Sequence, residues 1–140
     1  MRRSLIAVAS LIVGIAGMGL ATAPAAGAAG YGCGGSLIDQ YNIKDSAGST
    51  WGTINLYYST ANGGTNCAVN VTKKYVGTPH HMEVHLFQGS RVKNDSGTYS
   101  QYAGPVSLTG TDGDCISVSG EVDDPAGNSV AAGWSDVHCG

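Results

Sequence analysis

His81, Glu83 and His85 are the residues of this chain best suited to chemistry. Two imidazoles and a carboxylate are acceptable ligands for a divalent transition metal, and the same groups can move protons. In an extended strand, positions i, i+2 and i+4 leave one face in steps of about 7 Å. The outer pair meets a single ion only where the strand bends or another ligand joins. The intervening Met82, Val84 and Leu86 offer the plainer explanation: the three polar residues are the wet face of an amphipathic strand. Nothing here matches the helical H-E-x-x-H pattern of metalloproteases.

Other constellations are weaker. Asp112-Gly113-Asp114 and Glu121-Val122-Asp123-Asp124 flank the segment after Cys115. Clustered carboxylates suit calcium or acid–base work, but these miss the EF-hand spacing, and turn aspartates with a solvated rim are the ordinary explanation. No G-x-S-x-G elbow is present, and Gly133-Trp134-Ser135-Asp136 is not one. The aromatic residues are the remaining candidates for binding. Tyr57 alternates with Ile54, Leu56 and Tyr58, which predicts an exposed ring beside Thr53 and Asn55. Such a ring, with Trp51 and Trp134, can stack on a sugar or anchor a partner. The competing expectation is that a thin core recruits tyrosines on both faces of its sheets.

The element that must position these residues is a β-hairpin. Thr53–Ser59 and Asn66–Thr72 flank the turn Asn62-Gly63-Gly64, whose residues tolerate positive φ. Ile54, Leu56 and Tyr58 share one face of the first run. Cys67, Val69 and Val71 share one face of the second, which predicts Cys67 toward the core. Leu37–Lys44, His81–Gln88, Cys115–Val122 and Trp134–Cys139 read as further strands. Gly89–Gly97 reads as a charged turn region, Thr98–Leu108 as one strand bent at Gly104-Pro105, and Asp123–Ala132 as a polar loop. Short strands at hairpin spacing with Gly-rich turns predict an all-β fold, a small antiparallel sandwich or barrel.

The N-terminus reads as an address. Arg2-Arg3, the apolar run Leu5–Leu20 and Ala26-Gly27-Ala28 form a secretory signal, so residues 1–29 are a signal peptide and 30–140 one exported domain. Without Arg2 and Arg3 the domain holds five basic residues against ten acidic ones, a net charge of about −5. That excludes a general nucleic-acid binder, which needs a basic stripe. Cleavage of the signal leaves no membrane segment, and no cofactor is called for. All four cysteines follow the signal, and an even count in a small exported domain predicts two disulfides. Three pairings are open. Cys33–Cys67 and Cys115–Cys139 are the expected pair. Cys67 can receive the N-terminal segment, while Cys115 alternates against Ile116 and Val118 and so faces away from the core, toward the C-terminal tail.

Several stretches together resemble a known family. They are Tyr41-Asn42-Ile43-Lys44-Asp45-Ser46-Ala47-Gly48, Leu56-Tyr57-Tyr58, Asn66-Cys67-Ala68-Val69, Tyr102-Ala103-Gly104-Pro105-Val106 and the closing His138-Cys139-Gly140. The chain resembles the spore-associated protein A family, small secreted proteins of sporulating mycelial bacteria. The resemblance spans nearly the whole mature domain and its motifs are turns and cysteines. It implies export and association with spores or the cell surface, and brings no catalytic residues. His80-His81-Met82-Glu83-Val84-His85 is not part of it. The expectation is therefore a non-enzymatic surface domain whose partner is a cell-wall or spore-surface polymer or protein. The alternatives are a secreted carbohydrate-binding module using Tyr57, Trp51 and Trp134, a metal or hydrolytic protein using His81, Glu83 and His85, and a protease inhibitor presenting Arg91–Thr98.

Overall fold

The computed structural model describes residues 30–140, and the expected signal segment, 1–29, lies outside them. Eight strands follow one another: β1 (Ser36–Lys44), β2 (Thr50–Ser59), β3 (Thr65–Thr72), β4 (His80–Gln88), β5 (Arg91–Tyr99), β6 (Tyr102–Thr109), β7 (Ile116–Asp123) and β8 (Ser129–Val137). They form two four-stranded antiparallel sheets, ordered β1-β2-β3-β6 and β5-β4-β7-β8. The fold is a sandwich, with Cys33–Cys67 and Cys115–Cys139 as its two disulfides. Ile43, Ile54 and Leu56 of the first sheet meet Met82, Val84, Leu86, Ile116, Val118 and Val122 of the second in the shared core.

Three segments differ from expectation. β5 occupies what reads as a charged turn. Its residues are turn formers, but every one of them pairs with β4, from His80↔Tyr99 to Gln88↔Arg91. A tight reversal at Gly89-Ser90 places them there, and an edge strand tolerates a polar sequence because only one side of its backbone needs a partner. The single bent strand expected over Thr98–Leu108 is instead two: the chain leaves one sheet after Tyr99 and enters the other at Tyr102. β8 begins at Ser129, inside the expected polar loop, and alternates exposed and half-buried residues up to Trp134.

The hairpin register corrects a further expectation. Tyr57 pairs with Cys67, Asn55 with Val69 and Thr53 with Val71, so these six share one face. Side chains alternate strictly along a strand, so that face is opposite Ile54 and Leu56. Cys67 therefore lies outside the shared core, under a second apolar layer. There the N-terminal segment crosses the sheet and is pinned through Cys33. Cys33, Tyr57, Cys67, Val69 and Val71 form this satellite cluster, with Tyr102 packed against it. Tyr31 adds an edge-on contact to Tyr102 at 5.0 Å between ring centroids. The first sheet is thus buried on both faces, which is why β3 reads as a nearly continuous buried run.

Candidate functional site

The outer face of the second sheet collects the polar side chains that a single strand pattern separates. β4 buries Met82, Val84 and Leu86 completely, which turns His81, Glu83 and His85 outward. As a central strand it has neighbours on both sides: Ser96 of β5 and Glu121 of β7 both pair with Glu83. The Glu83 carboxylate accepts hydrogen bonds from His81 Nε2 at 3.0 Å, His85 Nε2 at 3.1 Å and Ser96 Oγ at 3.0 Å. The bonds from His85 and His81, in that order, hold its pKa down at about 2. The imidazoles thus fold onto the carboxylate between them instead of converging on a common point. Among the described residues no group of three or more His, Cys, Asp or Glu is arranged to hold a metal ion.

Glu121 has the opposite environment. Burial raises its pKa first, and the charges of Asp123 and of Glu83, directly across the ladder, add to the rise, opposed by the Ser129 hydroxyl. Like charges directly across an antiparallel pair repel. Beside Glu83, His85 and Glu121 the small residues Ser119, Ala131 and Gly133 leave a shallow depression of about 390 Å³. Phe87 continues the row, stacked on His85 at 5.9 Å. The result is a half-exposed, acid- and imidazole-bearing sheet face able to make polar contacts.

The aromatic residues expected to be exposed are not. Tyr57 is 4% exposed, because the strap at Gly30 lies directly over its ring edge. Trp51 is 7% exposed; its Nε1 donates to Asp45 Oδ2 at 2.9 Å, and Lys74 Nζ sits 4.4 Å from the ring centroid. Trp134 is half-buried against Tyr41, with centroids 5.0 Å apart, across the seam between β1 and β8. All three make packing contacts in this fold. The acidic turn after β7 is also structural. Asp124 accepts from the backbone of Ala126 and Asn128, each at 2.9 Å, and so shapes its own turn.

A second concave feature escaped the sequence reading. Ile38, Tyr58, Asn66, Thr111, Asp112 and His138 line a cleft of about 420 Å³ at one end of the sandwich. Gly64 makes the wall possible. It has φ +85°, and a Cβ there would fall 2.6 Å from Asp112 N and 2.8 Å from Tyr58 Oη. Backbone bonds Thr111 N to Gly64 O and Asp112 N to Gly63 O, both 3.0 Å, lock the two loops together. His138 Nε2 reaches Asp39 Oδ2 at 3.2 Å and ties the tail after β8 back to β1. Only the Asn-Gly-Gly turn signalled this in the sequence; nothing indicated which loop it would meet.

Fold and bridges together define a small, disulfide-stapled β-sandwich. Its sequence is 37% identical over 119 residues to Spore-associated protein A of Streptomyces coelicolor, covering 79% of this chain and 75% of that protein. The chain belongs to the spore-associated protein A family. No family model and no solved structure matches it.

Proposed function

We infer that this chain is an exported, non-enzymatic domain resident on the surface of spores or cells, where it meets a wall polymer or a surface protein. The observation that carries the reading is its relationship to a protein named for association with spores. Two disulfides among 111 described residues fit the same reading, since such bridges persist in oxidising surroundings and brace small domains. Each closes a loop of a few tens of residues, worth about 3–4 kcal/mol in the chain-entropy model. The His81–Glu83–His85 row supports a contact surface better than a reaction centre, because three hydrogen-bond donors already occupy the carboxylate.

Fractionation of the producing culture tests this directly. An antibody to the 30–140 domain is used to probe medium, vegetative cells and washed spores. Protein retained on spores or cells and released by detergent or salt is the expected result. Protein found wholly in the medium overturns the surface assignment.

A further inference from the structure

The cleft at the end of the sandwich contains an acceptor without a donor. Asn66 is 2% exposed, and its Nδ2 donates to Thr111 Oγ1 at 2.8 Å. The Thr111 hydroxyl in turn donates to the Gly64 carbonyl at 3.1 Å. A hydroxyl with its one proton engaged can only accept from Asn66, which fixes the amide orientation. Asn66 Oδ1 is then left buried with no partner, on a side chain that lines the cleft. An unsatisfied buried acceptor is costly and calls for an explanation.

The rest of the lining completes a recognisable chemistry. Asp112 accepts from Tyr58 Oη at 3.1 Å. A carboxylate can accept about four hydrogen bonds, so most of its capacity remains. Ile38 and the Tyr58 ring supply an apolar wall, and no Lys or Arg lines the cleft. Acceptors beside an apolar, partly aromatic wall suit a ligand with one apolar face and adjacent donors. An anion would meet the Asp112 carboxylate, and the one imidazole in the lining, His138, is already turned to Asp39. A bare ammonium would use the acceptors and waste the wall.

We propose that this cleft binds a pyranose sugar residue, its apolar face against Tyr58 and Ile38, its neighbouring hydroxyl or amino donors on Asn66 Oδ1 and the Asp112 carboxylate. The volume, about 420 Å³, lies within the range of small-molecule sites. An amino group beside Asp112 adds a charge-assisted bond, so an amino sugar binds more tightly than its hydroxyl counterpart. The site stands apart from the surface assignment, and its failure leaves that assignment intact.

NMR titration of ¹⁵N-labelled, disulfide-intact protein with glucose, glucosamine and butylammonium is the test. Both sugars are expected to shift the Asn66 side-chain amide and the Gly113 amide saturably, glucosamine with the higher affinity. Asp112→Asn, at an exposed position, is expected to weaken glucosamine about tenfold. Ile38→Ser, on the edge strand, is expected to weaken both sugars and leave the spectrum otherwise folded. The proposal is overturned if neither sugar gives saturable shifts. It is equally overturned if butylammonium matches glucosamine, or if both variants bind as the parent does.

Discussion

The side-chain amide of Asn70 lies against Gly120 of the opposite sheet, so close that a Cβ on the glycine would stand 3.1 Å from Asn70 Nδ2. Across that gap Nδ2 donates to the main-chain carbonyls of Glu83 at 2.8 Å and Glu121 at 3.0 Å. A fully buried polar side chain thus ties β3 to β4 and β7, directly beneath the candidate polar face.

Asn70→Ala should remove both bonds, open a small void and strand two carbonyls. We expect a loss of about 2–4 kcal/mol, read as a lower denaturant midpoint with an unchanged slope. Parental stability in this variant would mean that the tie is incidental.

Glu83 titrates at about 2 in the folded protein and at an ordinary 4.5 when unfolded. Between those values the unfolded chain holds the extra proton, so stability rises with pH. The contribution is complete above about pH 4.5 and disappears as pH falls through 2. Glu83→Gln should flatten the stability profile in that window and cost about 1 kcal/mol or less at pH 7, as half-exposed ion pairs usually do. Denaturation series at pH 2–7 on both proteins provide the check.

Glu121 carries the reverse sign. Its raised pKa makes the folded protein the better proton binder, so stability is lost as pH rises through the folded value. Glu121→Gln should therefore leave acid stability unchanged and raise the melting temperature at neutral pH. A lower melting temperature there would show that its interaction with Ser129 outweighs burial and repulsion.

The two disulfides should differ in reactivity. Cys33 and Cys67 are 0% and 2% exposed, whereas Cys115 and Cys139 lie at the surface. Thiol–disulfide exchange requires access of the attacking thiolate. Mild reduction followed by alkylation and peptide mapping should label Cys115 and Cys139 first, with Cys33 and Cys67 protected until the domain unfolds. Because Cys139 borders the cleft, the singly reduced form should also bind glucosamine more weakly.

Much of this architecture was legible because side-chain alternation is strict. Met82, Val84 and Leu86 identified the buried face of β4, and Cys115 set against Ile116 and Val118 indicated a bridge on the outside. Cys67 shows where the same logic stops. Its alternation with Ala68 and Asn70 was clear, but the choice of inner face went to the more apolar set. A sheet covered on both sides offers two apolar environments, and the small Ala68 with the hydrogen-bonded Asn70 took the shared core. β5 was hidden for a different reason: an edge strand held by its ladder needs no apolar pattern. The cleft was illegible because it is assembled from a turn, a loop and a tail distant in sequence. The buried acceptor at Asn66 emerges only once Thr111 is placed beside it.

The strap beginning at Gly30 gives the domain a front and a back. It covers the outer side of the first sheet, held by Cys33 and by Tyr31 on Tyr102. The histidines and Glu83 occupy the opposite side. A tether or tag joined ahead of Gly30 therefore emerges from the back and leaves the front facing away from its point of attachment. One joined after Gly140 emerges beside the cleft, at the end of the molecule. A fusion joined directly ahead of Gly30 therefore obstructs neither, whereas one after Gly140 crowds the cleft.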